Sequence, residues 1–382
     1  MDFDYVVAPA AIVVIGALAA WLSVRRMLSP TQKNLAPLRR VCERVALSLT
    51  ALFTVAVAGN CAWNAIAIQV FRASFPPMGN FYPVNGHKMQ IYCMGSGSPT
   101  VVLEAGLGVA ADVLSWGDFQ PRLGLTTRVC SYDRAGLGWS EPQPDSSDAD
   151  HIAANLHQLL AKANITGSVV LMGHSMGGVY IRDYLAHYPV GVAGLVLVDS
   201  STPLQEQRFQ ALAGPQKGLS IATGLKLQEA LYMLGIPRLV GRCGRPHPGS
   251  ESRAGKALGE DECQPRDEAL SEYENLPLTG EETVHTGPFG ALPILIFSQD
   301  TTKWTAGPNP SRQAIDQASL WYQMQEDLKK LSTRSRRIIA KGSGHYIQGD
   351  REDLVLKETQ LFIDQIRGTA PQPGNFGYTI TE

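Results

Sequence analysis

The chain has 382 residues, of which 44% are hydrophobic and only 18% are charged, and its formal net charge at pH 7 is -2. This composition is typical of a globular protein that carries additional apolar segments, and the near-neutral charge gives no basis for nucleic acid binding. No internal repeat is evident in the sequence.

The first 75 residues contain two uncharged, mostly apolar runs, at about 5–24 and 45–68. The first run is long enough to cross a bilayer core of about 30 Å. The second run is weaker as a spanning segment because it contains Asn60 and Asn64. We predict two membrane-spanning helices, with an amphipathic hairpin on the membrane surface or a buried core helix as the alternatives.

The segment between the two runs is strongly basic and contains a single acid, Glu43. Its basic residues are Arg25, Arg26, Lys33, Arg39, Arg40 and Arg44. The positive-inside rule predicts that this segment is cytoplasmic. Asp2 and Asp4, with no Lys or Arg beside them, argue against a cleaved signal peptide. Two spans would return the chain to the outer side, so we expect the remainder to be periplasmic or extracellular.

Residues 76–367, about 290 residues, are ample for the core of a single domain. Apolar residues at about 203–290 suggest an inserted set of helices, here called the cap. Met233 and Leu234 are the expected substrate-pocket residues within it, the alternative being plain packing of the cap on the core. Residues 368–382 are predicted to be a disordered tail.

Residues 173–177 read Gly-His-Ser-Met-Gly, between an apolar strand candidate and a helix-like run. Strand, sharp turn and helix are the context of a nucleophile elbow. Gly173 and Gly177 suit such a crowded turn, in which a Cβ would collide with a neighbouring element. Ser175 is therefore the predicted nucleophile, at a helix N-terminus that favours negative charge. The alternative is a chance match in a Gly-rich turn, and we interpret His174 as structural.

A histidine and two aspartates complete the candidate catalytic set. His345 lies on a Gly-rich loop that follows the last apolar strand candidate, a position that suits a general base. Asp300 follows the strand candidate 292–297, and Asp199 ends the strand candidate 194–198. We favour Asp300 as the group that orients His345. Asp199 is the alternative acid, and its competing role is to hydrogen-bond the turn that follows it.

Main-chain N–H groups are needed to stabilise a developing oxyanion. We expect one donor at Met176, directly after the candidate nucleophile. The other is expected at Leu107, in the loop 105–108 that follows the strand candidate 100–104. The two glycines of that loop could instead serve only the turn.

From about Phe81 to Arg367 the chain resembles the α/β-hydrolase superfamily. The resemblance depends on Leu-Glu-Ala-Gly-Leu-Gly at 103–108, Ser-Tyr-Asp-Arg-Ala-Gly-Leu-Gly-Trp-Ser at 131–140, the elbow, Asp300 and His345. One departure is Ala105-Gly106, where many members have His-Gly. The resemblance implies an α/β-hydrolase fold, with a mostly parallel central sheet flanked by helices and a helical cap. Epoxide hydrolases and haloalkane dehalogenases of this fold use an Asp nucleophile, so Ser175 argues against both classes.

The resemblance also implies a function. We expect a membrane-anchored serine hydrolase, carboxylesterase-like or lipase-like, that cleaves small-molecule or lipid esters through an acyl-enzyme, with no metal or organic cofactor. The alternatives are an amidase or peptidase of the same fold and a non-catalytic binding ectodomain.

Four of the 6 cysteines form two candidate pairs. Cys93 and Cys130 lie on strands that the resembled fold would place side by side, and Cys243 and Cys263 flank a polar loop in the insertion. Both pairs could be disulfides in an oxidising compartment. Burial without a bond is the competing interpretation for the first pair. No metal-ligand spacing is evident among the cysteines.

Overall fold

A computed structural model describes residues 3–27, 37–109, 115–213, 221–245, 257, 259–261, 263–264 and 267–382. The chain divides into two compact units. The first comprises Met1–Pro76, Thr223–Arg245 and Gly259–Pro265, and the second comprises Pro77–Ala222, Pro246–Leu258 and Arg266–Glu382.

The second unit contains a nine-stranded sheet, counted over the described residues, in the order β1-β2-β4-β3-β5-β6-β7-β8-β9. The strands are β1 Asn80–Val84, β2 His87–Met94, β3 Thr100–Glu104, β4 Val129–Tyr132, β5 Val169–His174, β6 Val192–Val198, β7 Ile294–Gln299, β8 Ser335–Ala340 and β9 Thr379–Thr381. Only the β1–β2 and β2–β4 pairings are antiparallel. The mostly parallel α/β sheet predicted from the sequence is confirmed.

The helices described in the structure include two long N-terminal ones and a larger set around the sheet and in the insertion. They are α1 Phe3–Met27, α2 Pro37–Ser74, α3 Phe119–Leu123, α4 Ala149–Lys162, α5 Gly177–His187, α6 Gln205–Ala213, α7 Ile221–Met233, α8 Ile236–Leu239, α9 Asp267–Glu274, α10 Leu276–Thr283, α11 Arg312–Asp327, α12 Ile347–Asp350 and α13 Glu352–Arg367. Among the described residues, 3-10 helices occur at Thr301–Thr305 and Leu328–Leu331.

The sheet has an apolar core on each face because successive strand residues point to opposite sides. Val102 and Leu171 pack in one cluster with residues of α4 and α5. Their strand neighbours Val101 and Val170 pack in the other cluster with residues of α3 and α13. Burial on both faces explains why the central strands read as unbroken apolar runs in the sequence.

The C-terminal segment is ordered as part of the sheet, contrary to the predicted disordered tail at 368–382. Its residues 379–381 form β9, which pairs in parallel with β8. Arg337 N–H donates to Tyr378 O at 3.1 Å, and Ile380 packs against the core. The overall composition of the tail does not reveal that three of its residues, Thr-Ile-Thr, pair with β8, which would otherwise be an unpaired edge strand.

The first unit contains the N-terminal helices, of which α2 extends well beyond the predicted 45–68. Among the described residues one helical segment, Val41–Ser74, is long and apolar enough to cross a membrane. The structure confirms a helix over the other run, as α1, but a second span stays a prediction. Lys33 and the other residues at 28–36 lie outside the described residues.

Part of the predicted cap at 203–290 groups with the N-terminal helices in the first unit. Asn60 Nδ2 donates to Leu234 O at 2.5 Å, and Asn64 Nδ2 donates to Tyr232 O at 3.0 Å. The two asparagines that weaken the apolar run therefore bind main-chain carbonyls at the C-terminal end of α7. Segments 214–220 and 246–256 of the predicted cap lie outside the described residues.

Both candidate cysteine pairs are disulfides in the structure. Cys93 and Cys130 are directly opposite one another in the antiparallel β2–β4 pair, with Cα atoms 4.0 Å apart. Cys243 and Cys263 are joined within the first unit, with Cα atoms 5.6 Å apart.

Candidate functional site

Ser175 lies at a sharp turn between β5 and α5, with a positive φ of 54°. A Cβ at Gly173 would come within 2.5 Å of the Gly177 main chain, and a Cβ at Gly177 would come within 2.5 Å of Ala105 O. Only glycine fits at both positions, which explains the spacing of the motif. The strained conformation holds Ser175 at the N-terminus of α5, as the elbow pattern predicts.

His345 lies in the loop between β8 and α12, and its partner is Asp199. Its Nδ1 lies 2.6 Å from Asp199 Oδ2. Asp199 has a positive φ of 41°, directly after β6. The preference for Asp300 as the group that contacts the imidazole is wrong, because the carboxylate one strand earlier reaches it.

Three other donors hold the Asp199 carboxylate in place, and none of them was foreseen from the sequence. Oδ1 accepts from Gln299 N–H at 2.9 Å and from Trp321 Nε1 at 3.0 Å. Oδ2 accepts from Gln299 Nε2 at 2.7 Å in addition to its contact with His345. Every hydrogen-bonding direction of this buried carboxylate therefore faces a donor.

Asp300 supports the loop that carries His345 instead of the imidazole itself. Its Oδ1 accepts from Thr302 N–H and Oγ1, and its Oδ2 accepts from Gly342 N–H at 2.9 Å. Although partial burial opposes it, these hydrogen bonds from Thr302 and Gly342 lower the pKa of Asp300. The carboxylate thus caps the 3-10 helix at Thr301–Thr305 and ties it to the end of β8.

His174 is buried beneath the same loop, in agreement with the structural role predicted for it. Its Nε2 lies 3.0 Å from His345 O, and the two imidazole rings are 4.7 Å apart. Burial, reinforced by the nearby His345, lowers the pKa of His174 from 6.5 to about 3. A neutral His174 can then donate to His345 O and fix the position of the loop.

The two main-chain groups predicted as oxyanion donors lie beside Ser175. Leu107, Ser175 and Met176 line one cavity. A Cβ on Gly106 would lie 3.6 Å from Ser175 Oγ, so the loop 105–108 passes close to the hydroxyl. Within the described part of the chain no acceptor is bonded to the N–H of Leu107 or of Met176.

A chain of buried charges lies behind that loop. Arg134 NH1 is 2.7 Å from Glu104 Oε1, and Arg134 Nε is 2.6 Å from Glu272 Oε1. All three side chains are at most 4% exposed, so the two carboxylates and one guanidinium are removed from water together. Burial raises the pKa of Glu104 although Arg134 opposes the change. The motif at 131–140 contains Arg134, but no sequence signal identifies Glu272 on α9.

Two cavities open at Ser175. The first, of about 490 Å³, is formed by Leu107, Met176, Val179, the segment 201–207 with Gln210, and residues of α9 and α10 such as Leu276. The second, of about 500 Å³, contains Ser175, His345, Phe209 and Trp304 among its lining residues. Neither of these two cavities is lined by Met233 or Leu234, and the expectation that these two residues form the pocket stays a prediction. Both lie in the stretch that groups with α2.

Among the described residues, Asp150, Asp183 and His187 form a group whose ligand atoms lie within 4.8 Å of one another. His187 Nδ1 is 3.3 Å from Asp183 Oδ2, and His187 Nε2 is 3.8 Å from Asp150 Oδ1. His187 is at the opposite end of α5 from Ser175. These contacts account for the cluster as ion pairs, and it takes no part in the site at the elbow.

The model of the alpha/beta hydrolase family matches residues 101–358, which include the loop 105–108, the elbow and His345. The chain belongs to this family.

Individual relatives are distant. An AB hydrolase superfamily protein of Gibberella zeae is 25% identical over 300 residues, which cover 70% of this chain and 87% of the relative. The uncharacterized protein YbdG of Bacillus subtilis is 27% identical over 166 residues, which cover 44% of this chain and 51% of the relative. The chain therefore spans only about half the length of that protein.

Among solved structures, a thermophilic esterase from Thermogutta terrifontis superposes with a TM-score of 0.51 at 16% identity. The match covers 75% of this chain and 98% of that chain. At this identity the similarity establishes the fold alone.

Proposed function

We propose that this member of the alpha/beta hydrolase family is a serine hydrolase that cleaves carboxylic esters through Ser175, His345 and Asp199. The observation that carries the proposal is the 2.6 Å contact between His345 Nδ1 and Asp199, in a cavity that Ser175 also lines. A carboxylate on Nδ1 keeps the proton on that nitrogen and leaves Nε2 free to act as a base.

The reaction follows from these positions. Ser175 Oγ attacks the ester carbonyl while its proton passes to His345 Nε2, and the negative charge on the carbonyl oxygen is received by the N–H groups of Leu107 and Met176. The tetrahedral intermediate collapses with loss of the alcohol, which takes the proton from Nε2. Water then attacks the acyl-enzyme by the same steps, and the carboxylic acid is released with Ser175 restored.

The site provides binding space for the apolar acyl group of an ester. The cavity of about 490 Å³ has Val179, Leu204 and Leu276 in its wall. Such a volume is in the range of sites that enclose small molecules.

Labelling with a fluorophosphonate probe tests the nucleophile directly, since the probe phosphonylates an activated serine. We expect labelling of the wild type and none of Ser175→Ala. Matched p-nitrophenyl ester and p-nitroanilide substrates with the same acyl group then test the class. Faster anilide cleavage would indicate an amidase or peptidase, and absence of both labelling and turnover would indicate a non-catalytic binding domain.

We further propose that both N-terminal helices span a membrane, that the catalytic unit is outside the cytoplasm, and that the substrates include lipophilic esters. The proposal is supported by the apolar side chains that α1 and α2 expose, among them Val14, Leu18, Leu49, Leu52 and Phe53. Thr50 and Thr54 bond carbonyls of their own helix, as polar residues in lipid require.

Fusions after Glu382 test the orientation. Alkaline phosphatase should be active at this position, and a fluorescent protein that folds only in the cytoplasm should be dark. The reverse pattern would place the catalytic unit in the cytosol and leave a single spanning segment.

A further inference from the structure

Arg134 binds two successive carbonyl groups of the loop that approaches Ser175. Its NH1 donates to Ala105 O at 3.1 Å, and its NH2 donates to Gly106 O at 2.7 Å. Charge-assisted hydrogen bonds of this kind are short and about twice as strong as neutral ones. The guanidinium therefore anchors the peptide groups 105–106 and 106–107.

Glu272 anchors the next peptide group. Its Oε2 accepts from Gly108 N–H at 2.7 Å and from Arg134 NH2 at 3.0 Å. Its Oε1 accepts from Arg134 Nε, so one carboxylate binds both the loop and the guanidinium that holds the loop. All three peptide groups between Ala105 and Gly108 are thus held by two side chains.

The anchoring fixes the direction of the Leu107 N–H. In a trans peptide the carbonyl of one residue and the N–H of the next point in opposite directions within one plane. Because Gly106 O is directed at Arg134, the Leu107 N–H is directed away from Arg134. Gly108 N–H is occupied by Glu272, which leaves Leu107 as the donor that can face a substrate oxygen.

Close packing of α9 on the loop makes the arrangement depend on the insertion. Gly108 has a positive φ of 59°, and a Cβ there would come within 3.0 Å of Ala269 Cβ. Ala269 and Glu272 are one turn apart on α9, so both face the loop.

We propose that Arg134 and Glu272 are positioning residues, which hold the loop 105–108 so that the Leu107 N–H stabilises the oxyanion and which make this donor depend on α9 of the insertion. The proposal rests on the serine hydrolase function given above. Neither residue contacts the substrate; both act through the main chain of the loop.

Two conservative variants test the proposal without removing the buried cation. Arg134→Lys keeps a cation between Glu104 and Glu272 but loses the fork that reaches both carbonyls. Glu272→Gln removes one charge and sets an amide NH2 against either Gly108 N–H or an N–H of Arg134. Glu268→Gln is the matched control, because Glu268 lies one turn earlier on α9 and accepts from Ser147 Oγ at 3.1 Å instead of from the loop.

Steady-state ester hydrolysis is measured per active site, after titration of the reactive serine with fluorophosphonate. Loss of a correctly aimed oxyanion donor should lower kcat by about 10- to 100-fold with KM nearly unchanged, since the donor acts in the transition state. Affinity for a trifluoromethyl ketone should fall by a similar factor, because its adduct with Ser175 carries the same oxyanion. Glu268→Gln should stay within about twofold of the wild type in all three measurements, as expected for a side chain remote from the reacting atoms.

Each outcome decides a different point. A wild type that reacts with neither fluorophosphonate nor ester would overturn the proposed function itself. If the wild type is reactive but Arg134→Lys and Glu272→Gln keep the wild-type kcat, with or without a change in KM, the proposed function stands and the positioning role is refuted. If Glu272→Gln does not fold, Arg134→Lys alone decides between these results.

Discussion

Replacement of Asp199 by asparagine is the sharpest perturbation of the proposed catalytic set. The Asp199 carboxylate accepts four hydrogen bonds and donates none. The donors are Gln299 N–H, Gln299 Nε2, Trp321 Nε1 and His345 Nδ1. An asparagine offers one oxygen, and its NH2 must meet two of these donors.

The structure determines which way the amide turns. At the Oδ1 position the NH2 would face the Gln299 main-chain N–H and Trp321 Nε1, neither of which can become an acceptor. At the Oδ2 position it faces His345 Nδ1, which can accept if the imidazole changes tautomer. The Gln299 side chain is less free to adapt, because its Oε1 already accepts from Trp304 Nε1 at 3.0 Å.

The expected loss of kcat follows from the change of tautomer at His345. With Nδ1 as acceptor the proton moves to Nε2, and His345 can no longer take the proton of Ser175. The same change in a Ser-His-Asp protease lowers kcat by about 10⁴-fold, equivalent to about 5 kcal/mol of activation free energy at roughly 1.4 kcal/mol per factor of ten. We expect a loss of this order in kcat for Asp199→Asn.

The assay is p-nitrophenyl ester hydrolysis by purified full-length protein, with folding checked by thermal denaturation. Asp300→Asn is the matched control and should cost less than about tenfold, since Asp300 acts only on the loop through Gly342. The assignment would be refuted if Asp199→Asn kept more than a tenth of wild-type kcat, or if Asp300→Asn were the more damaging change.

Three further predictions follow from the same geometry. Leu276→Trp should fill part of the cavity of about 490 Å³ and lower kcat/KM for octanoate esters much more than for acetate esters. Leu234→Trp should leave the ratio of the two kcat/KM values unchanged. Equal effects of the two variants on that ratio would contradict the assigned pocket. The pKa of His174 is about 3 in the folded protein against 6.5 when unperturbed, so the folded state binds fewer protons and its stability, complete above pH 6.5, falls as the pH drops toward 3. His174→Gln keeps a donor for His345 O but does not titrate, so its melting temperature should fall less than that of the wild type between pH 7 and 4, and parallel curves would argue against a buried neutral histidine. Non-reducing mass mapping of protein from native membranes should link Cys93 with Cys130 and Cys243 with Cys263, and free thiols at these positions would argue against an exported catalytic unit.

The sequence by itself determined the features whose geometry is set by covalent neighbours. The elbow is one such feature, because Gly173 and Gly177 must lack a Cβ wherever this strand–turn–helix occurs. The unbroken apolar runs predicted the central strands, since a parallel sheet is buried on both faces. The position of Cys93 and Cys130 on adjacent strands was implied only by the resemblance to a known fold, and the structure adds the bond between them.

Only the tertiary structure decided the contacts between segments that are far apart in the chain. Asp199 and Asp300 both follow a buried strand, and their local sequences do not reveal which carboxylate reaches His345; the choice depends on how each main chain turns beyond the sheet. Glu272 meets the loop 105–108 only because α9 packs against Gly108. Apolar residues near Leu234 are equally suited to a pocket or to packing beside α2, and only the structure shows that carbonyl groups in this stretch bind Asn60 and Asn64. Apolar burial is non-directional, so a pattern of hydrophobic residues predicts that a segment is covered but not what covers it.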